Sequence, residues 1–294
     1  MNIRKLAAID IGSNAMRLLI NYVYEFPGSQ PIFNKTSLIR LPVRLGEDVF
    51  FNKRISEQNE QRMKEAIQAY KLIMDIHGIE NYLAYATSAM RESENGKEIL
   101  SRIRKKTGIH VEIIDGNTEA NLVFATELQK FIEDKQNYLF VDVGGGSTEL
   151  TLIENGKIGI SKSFSVGTVR LLNDLVNPEV YPEMKSWVTK NIRHKQVQLI
   201  GSGGNINHVY KYSGIKLGKP MDSSYLRKQH RTFKELTYEE RLRDFNMKTD
   251  RADVIEYALD IFTKIMKWSH AKKIHVPKIG ISDGMIRKLY EEVS

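Results

Sequence analysis

The chain has 294 residues, enough for two domains of ordinary size, and its 41% hydrophobic and 27% charged residues are typical of a soluble globular protein. It contains no cysteine, which excludes disulfides, thiolate nucleophiles and cysteine-ligated zinc or iron–sulfur sites. The first residues are too polar for a secretory leader, and no run approaches the roughly 18 apolar residues of a membrane span. We therefore expect a cytoplasmic protein with no membrane partner.

The net charge of +8 is unevenly distributed. Residues 190–294 carry 21 Lys/Arg and 12 Asp/Glu, whereas the rest of the chain is close to neutral. A basic C-terminal part fits an anionic partner, but a solvated surface explains the charge equally well. The run RKQHR (227–231) has the same two interpretations. No stacking-rich or helix-turn-helix pattern accompanies these residues, so we expect no nucleic-acid partner.

Two segments share one pattern: LAAIDIGSNAMRLLINYV (6–23) and NYLFVDVGGGSTELTLIENG (137–156). Each has an apolar strand, an aspartate, a glycine-containing turn and a second strand-like run, which predicts a hairpin centred on Asp10 or Asp142. The segment VQLIGSGGNIN (197–207) partly repeats the pattern. The two hairpins predict a duplicated architecture with one copy per lobe.

Helical signals alternate with these strands. Apolar residues recur at helical spacing after Ser56, which can cap the helix, and Gly78 can end it. A strand leads into a helix within 82–93, and a strand, a turn at 115–117 and a helix from about Thr118 follow within 110–132. Beyond a strand at 158–164, helices near 168–193 and a strand at 197–200, we expect a mostly helical region, with a loop at 216–224. The alternation predicts an α/β fold with a mixed sheet in each lobe.

The glycine-rich turns predict phosphate binding. Consecutive glycines permit close approach of an anion to backbone amides, and successive amides pointing into one concavity form an anion-binding nest. A carboxylate beside such a turn is understandable if a divalent cation lies between it and the phosphate, and carboxylates with phosphate oxygens are a usual Mg²⁺ environment. The alternative is that each turn is a plain tight hairpin. No Walker loop or dinucleotide fingerprint is present.

The order and spacing of these motifs resemble one known family. The matching stretches are AIDIGSNAMRLLI (8–20), RLGEDV (44–49), YATSAMRES (85–93), DGNTEANLVF (115–124), FVDVGGGSTEL (140–150), SVGTVRLL (165–172), GSGGNIN (201–207), RADVIEYALDI (251–261) and SDGMIRK (282–288). They are similar to the exopolyphosphatase / guanosine pentaphosphate phosphohydrolase family, in its short two-domain form.

The resemblance implies two ribonuclease-H-like lobes of the actin-like ATPase superfamily around a cleft. Residues 1–123 would form the first lobe and 124–283 the second, with a C-terminal helix at about 284–294 packing back on the first. It also implies Mg²⁺-dependent hydrolysis of a terminal phosphoanhydride of polyphosphate or of guanosine pentaphosphate. A homodimer is expected by the resemblance alone.

The resemblance also assigns roles to residues. The catalytic glutamate of the family, within Gly-x-Glu-Glu-Ala, matches Glu119 in GNTEA, and Thr118 replaces the first glutamate. We expect Glu119 to be the general base; its alternative role is that of an acid at a helix start. The expected metal ligands are Asp142, Glu149 and Asp10. The expected phosphate-binding residues are Gly12, Ser13, Asn14, Arg17, Arg91, Gly144, Gly145, Gly146, Ser147, Gly203, Gly204 and Asn205.

Other functions remain open from the sequence. The same loops would suit an ATPase or kinase of the superfamily. The loss of the neighbouring carboxylate at Thr118 also fits a weakly catalytic sensor that binds polyphosphate or guanosine tetraphosphate. The histidines show no metal-ligand spacing, and His208, just after the third loop, has the pattern of a structural residue.

Overall fold

The computed structural model describes residues 1–126, 132–133, 136–193 and 195–294. It divides into two compact units, of which the first comprises Met1–Thr126 with Ile281–Ser294 and the second Glu127–Gly280. The distal end of the helix predicted within 110–132 lies partly outside the described residues. None of the helices in the described residues is both long and apolar enough to cross a bilayer.

The described strands of the first unit form one mixed sheet in the order β3-β2-β1-β4-β5. They are β1 (Asn2–Ile11), β2 (Met16–Glu25), β3 (Ile32–Leu41), β4 (Asn81–Ala86) and β5 (Glu112–Ile113). β1, β2 and β3 pair antiparallel as two hairpins, whereas β4 and β5 join parallel and therefore need crossovers. The helices are α1 (Leu45–Asn52), α2 (Glu57–His77), α3 (Ser88–Glu92), α4 (Gly96–Thr107) and α5 (Gly116–Phe124).

The described strands of the second unit follow the order β10-β11-β9-β6-β7-β8. They are β6 (Asn137–Val143), β7 (Thr148–Glu154), β8 (Lys157–Phe164), β9 (Val197–Ser202), β10 (Met221–Asp222) and β11 (Lys273–His275). Again the first three pair antiparallel and the next two central strands join parallel. The helices are α6 (Thr168–Leu172), α7 (Val180–Asn191), α8 (Gly204–Tyr212), α9 (Ser223–Glu235), α10 (Tyr238–Phe245), α11 (Thr249–Ala252) and α12 (Ile255–Ser269).

The two sheets have the same topology, apart from the short antiparallel edge strand β10. Each begins with a three-stranded antiparallel meander, and two further strands are added in parallel beside its first strand. This confirms the predicted α/β class with two ribonuclease-H-like lobes, and both predicted hairpins occupy the same place in their sheets. The interlobe cleft stays a prediction.

Local signals explain the most regular elements. The Ser56 hydroxyl accepts the amide of Asn59 at 3.2 Å and caps α2, and Gly78 ends the helix with a φ of 65°, as predicted. Residues 6–11 of β1 are all buried, and all but Asp10 are apolar, as expected for a strand covered on both faces. β3, by contrast, is an edge strand in which no residue is buried.

The sequence missed several elements. β3 and α1 were not predicted. The loop predicted at 216–224 contains β10, and the region predicted as mostly helical contains β11. α5 begins at Gly116 rather than at about Thr118, because Asp115 caps it and accepts the amide of Thr118 at 2.8 Å. The short strands β10 and β11 pair with each other, and β11 pairs with β9, so their formation depends on distant partners.

The last helix, α13 (Ile281–Val293), belongs to the first unit. Its buried residues Met285 and Ile286 join the apolar cluster around Leu6 and Leu19 of the first sheet. Polar contacts hold it as well: Asp283 pairs with Lys35 at 2.6 Å. This helix packs on α5, which carries Glu119.

Gly284 permits the close approach of α13 to α5. A Cβ at this position would lie 1.9 Å from the carbonyl oxygen of Leu122, a backbone atom that has little freedom to move. The contact therefore requires glycine for space rather than for an unusual φ.

We predict that Gly284→Ala lowers the free energy of unfolding by at least about 1–3 kcal/mol, the usual cost of overpacking. At a helix position with free space around it, the same change would stabilise the protein by roughly 0.5–1 kcal/mol. The sign of the change in the free energy of unfolding therefore distinguishes the two cases. Urea unfolding followed by circular dichroism measures it. Glu291→Ala, on an exposed part of the same helix, is the control and should change stability by less than about 0.5 kcal/mol. A stabilised Gly284→Ala variant would contradict the packing argument.

Candidate functional site

Both predicted phosphate loops are tight turns with the same closing hydrogen bond. In the first hairpin the amide of Gly12 donates to the carbonyl of Ala15 at 3.1 Å, and in the second Gly144 donates to Ser147 at 3.0 Å. Each turn therefore encloses two residues between the bonded pair. The turns begin two residues after Asp10 and Asp142.

The second loop is held from behind by α6. The carbonyls of residues 144, 145 and 146 accept, in that order, from the amide of Thr168 at 3.0 Å, the amide of Val169 at 2.8 Å and the Nε of Arg170 at 2.7 Å. In a trans peptide the carbonyl and the following amide point in opposite directions. The amides of residues 145, 146 and 147 are therefore directed away from α6, as an anion-binding nest requires.

The approach of α6 depends on Gly167, which precedes it. A Cβ on this residue would lie 2.5 Å from the carbonyl carbon and oxygen of Gly145. The hydroxyl of Thr148 adds a hydrogen bond of 2.6 Å to the carbonyl of Val166. Sequence reasoning missed this backing, although Gly167 lies in one of the stretches that carry the resemblance.

The first loop is held in the same way by α1. The carbonyl of Ser13 accepts the amide of Gly46 at 2.8 Å, and the carbonyl of Asn14 accepts the amide of Arg44 at 3.0 Å. By the same geometry, the next two amides, of Asn14 and Ala15, face away from α1. The buried hydroxyl of Ser13 lies 2.8 Å from that of Ser88, which ties the loop to α3 as well.

Two predicted metal ligands lie side by side at the second loop. Asp142 on β6 and Glu149 on β7 are direct cross-strand partners, so their side chains project from the same face of the sheet. Glu149 is buried, and its Oε1 accepts the hydroxyls of Ser147 at 2.6 Å and of Ser163 at 2.9 Å. The two serines hold the Glu149 carboxylate in place. The side chain of Ser147 therefore positions a predicted metal ligand, while its backbone closes the turn.

At the first loop the equivalent pair is Asp10 and Arg17, again direct cross-strand partners. Here the two side chains neutralise each other: Arg17 Nη1 lies 2.6 Å from Asp10 Oδ2, and Asp10 is buried. The duplicated hairpin thus carries an ion pair in the first unit and two carboxylates in the second. The ion pair makes Asp10 the weaker candidate for a metal ligand, and it gives Arg17 a carboxylate partner.

Glu119 lies in the first turns of α5 and is only 7% exposed. Arg91 Nη1 donates to Glu119 Oε1 at 3.2 Å and to the carbonyl of Ile114 at 2.6 Å. The guanidinium therefore bridges the predicted base to the backbone just before α5. The structure brings together Glu119 and Arg91, which the sequence assigned to separate roles.

Gly203 and Gly204 begin α8 at the end of β9, next to Asp142. Gly203 has a φ of 114°, which favours glycine, and a Cβ there would lie 2.9 Å from the carbonyl oxygen of Val143 and 3.6 Å from Asp142 Oδ1. A Cβ on Gly204 would lie 2.9 Å from the Arg251 guanidinium. Asn205 lies in the first turn of α8, so the third loop places a helix N-terminus near Asp142.

The arrangement in the second unit fits Mg²⁺. In the described part of the chain no three His, Asp or Glu side chains form a ready-made metal cluster. Mg²⁺ is commonly held by only one or two carboxylates together with substrate phosphates and water. The opposed carboxylates of Asp142 and Glu149, beside the predicted phosphate loop, match that ligand set.

His208, one turn into α8, has the surroundings of a structural residue. Burial, followed by the nearby charges of Arg251 and Lys211, lowers the pKa of His208 to about 4. Its ring packs against Tyr212, with 4.8 Å between the ring centroids. The imidazole is therefore neutral in the folded protein at neutral pH.

We predict that His208 destabilises the fold as the pH falls. Its folded pKa of about 4 lies below the ordinary value near 6.5, so between these values the unfolded chain binds more protons. The free energy of unfolding should therefore fall as pH decreases from about 6.5 to 4, relative to His208→Phe. Urea unfolding of both proteins at pH 7.5, 6, 5 and 4.5 tests this. If the difference in the free energy of unfolding between the two proteins did not change with pH, this effect of His208 would be excluded.

Comparison with known proteins decides the family. The model of the Ppx/GppA phosphatase family matches residues 30–292. The chain belongs to the Ppx/GppA phosphatase family. A crystal structure of the Aquifex aeolicus member of this family is 25% identical, with a TM-score of 0.78 over 100% of this chain and 99% of that one.

Two curated relatives show how the similarity is distributed. A bifunctional 3-dehydroquinate synthase/phosphatase of Fusobacterium nucleatum is 35% identical over 199 residues, covering 64% of this chain and 30% of the relative. Exopolyphosphatase 1 of Mycobacterium tuberculosis is 26% identical over 205 residues, covering 68% of this chain and 58% of the relative. The matches thus span less than two thirds of either relative.

Proposed function

We propose that this Ppx/GppA protein hydrolyses the terminal phosphoanhydride of inorganic polyphosphate and releases phosphate, and that guanosine pentaphosphate is a second substrate. The observation that carries the proposal is the anchored loop at 144–146, whose outward amides lie in the same hairpin as the opposed carboxylates of Asp142 and Glu149. Family membership supports a phosphatase. The similarity to exopolyphosphatases supports polyphosphate as the substrate.

Phosphoryl transfer to water depends on positioning and on charge neutralisation. The amides of residues 145–147 would bind oxygens of the substrate, and the amides of Asn14 and Ala15 would do the same in the first unit. Asp142 and Glu149 would hold Mg²⁺, which when bound neutralises phosphate charge. That both loops serve one substrate stays a prediction.

Glu119 would act on the attacking water. The water oxygen bonds to the terminal phosphorus, the bond from phosphorus to the bridging oxygen breaks, and the water proton passes to the Glu119 carboxylate. The shortened chain leaves with the electron pair on its oxygen. Arg91 has a fixed contact with Oε1 of Glu119 and orients the carboxylate for this step.

We predict that Glu119→Gln lowers the turnover of polyphosphate by about 10²–10⁴-fold, the usual contribution of a general base. Because Gln is nearly isosteric, polyphosphate affinity should change little. Phosphate release and equilibrium binding are measured separately. Glu112→Gln, at an exposed carboxylate of the same unit, is the control and should retain turnover. Unchanged turnover in Glu119→Gln would remove Glu119 from the mechanism.

We predict that Asp142→Asn and Glu149→Gln weaken Mg²⁺ binding, whereas Asp10→Asn does not, because Asp10 is already paired with Arg17. The loss should be at least about tenfold, since even outer-shell partners contribute that much to a metal site. Mg²⁺ binding is measured by titration calorimetry in the presence of tripolyphosphate. Every protein also carries Glu119→Gln, which prevents turnover of the tripolyphosphate. Equal losses in all three variants would contradict the assignment of the metal to the second hairpin.

A substrate panel distinguishes the proposal from the other functions. Polyphosphate, guanosine pentaphosphate and ATP are each incubated with the purified protein and Mg²⁺, and phosphate release is measured. Turnover of ATP alone would favour an ATPase or kinase. Tight binding of guanosine tetraphosphate without turnover of any substrate would favour a sensor, a role that Thr118 in place of a glutamate leaves open.

A further inference from the structure

Helix α9 presents a row of positive charges. Arg227, Lys228, Arg231 and Lys234 are all exposed, and Arg231 lies four residues after Arg227, three after Lys228 and three before Lys234, which places the four on one side of the helix. The row extends over about 10 Å along the axis, at 1.5 Å per residue. We refer to these four residues as the α9 cation row.

No carboxylate pairs with any residue of the α9 cation row within the part of the chain that the structure describes. The acids of α12 that lie near His230 have other partners: Glu256 pairs with Arg241 at 2.9 Å, and Asp260 pairs with Lys264. An exposed cation that is compensated looks different: Arg102 of the first unit pairs with Glu60 at 2.7 Å. The row is therefore a concentration of uncompensated charge.

The helix itself gains little from most of these cations, although Lys234 lies in its last turn and Arg227 donates to Ser223 Oγ at 3.1 Å. Like charges at i,i+3 and i,i+4 destabilise an exposed helix by roughly 0.2–0.5 kcal/mol per pair. The pairs Arg227–Arg231, Lys228–Arg231 and Arg231–Lys234 all have this spacing. A repulsive row on a folded helix points to a ligand of opposite charge.

Within α9 and the residue before it, the acids lie at the two ends of the row. Asp222, which precedes α9, is the cross-strand partner of Lys273, and Glu235 is the last residue of the helix. Lys272, whose carbonyl accepts the amide of Ser223 at 2.8 Å, is also exposed and continues the basic surface past the N-terminus of α9.

The apolar residues of α9 decide between classes of polyanion. Leu226 and Phe233 are fully buried in the core of the second unit, so they are not available for insertion into a membrane. Tyr225 is half-buried, which leaves the exposed face without an aromatic platform for stacking bases. The face therefore offers charge alone, which suits a chain of phosphates that carries no bases.

We propose that the α9 cation row is a docking surface for the distal part of long inorganic polyphosphate chains. The inference rests on the proposed polyphosphatase function and adds a second contact, remote in sequence from the catalytic residues. A short substrate has no distal part, so the row should affect long chains alone.

The test compares two triple variants with equal changes in net charge. Arg227→Gln/Lys228→Gln/Arg231→Gln removes most of the row. Lys185→Gln/Lys190→Gln/Arg193→Gln removes three exposed cations on and after α7 in the same unit. Equilibrium binding to long-chain polyphosphate and to a single-stranded RNA of similar charge is measured at several salt concentrations, together with hydrolysis of tripolyphosphate and of the long chain.

The α9 variant should bind long-chain polyphosphate at least about tenfold more weakly, with a slope of log affinity against log salt that is reduced by about 2, as three lost phosphate contacts imply. Its hydrolysis of tripolyphosphate should equal that of the wild type, which also shows that it is folded. The α7 variant should behave as wild type throughout.

Equal effects of the two variants on long-chain binding would overturn the inference, because they would reflect net charge. RNA binding that is as tight as polyphosphate binding and equally sensitive to the α9 variant would also overturn it. If no polyphosphate is hydrolysed but the row is required for long-chain binding, the proposed function fails and the docking surface stands.

Discussion

The carbonyls at 144–146 are turned towards α6 and held there, and the direction of the following amides depends on this restraint. A run of three glycines has the largest conformational freedom to lose of any tripeptide, so a free loop would rarely present its amides together. The hydrogen bonds from Thr168, Val169 and Arg170 remove that freedom before any ligand binds. The loop is therefore preorganised, and binding energy is not spent on ordering it.

The duplicated hairpins differ where the chemistry differs. Both use the following helix to orient a turn, and both place an aspartate two residues before it. The cross-strand partner of that aspartate is Arg17 in the first unit and Glu149 in the second. A difference in residue type at this one register position gives a neutral ion pair in the first unit and two carboxylates, which suit a cation, in the second. The same topology thus carries two electrostatic arrangements.

The sequence predicted the parts that depend on local signals. Turn length and alternation specify both hairpins, and the register that follows from them pairs Asp10 with Arg17. Strand β3 was not predicted because an edge strand without buried residues shows no clear apolar alternation, and β11 is three residues long and forms between β9 and β10. The hydrogen bonds that hold the two loops from behind were not predicted because they join residues about 20 to 30 positions apart along the chain. The pairing of Arg91 with Glu119 escaped for the same reason.

The place of α13 in the chain has a consequence for biosynthesis. Its residues emerge from the ribosome after the entire second unit, yet they fill the core of the first unit, against Leu6 and Leu19. During translation the second unit can therefore fold from its own sequence, while the first waits with an uncovered apolar surface on its sheet. The first unit is therefore completed last, and Leu122 of α5 gains its packing partners on α13 only after the second unit has been synthesised.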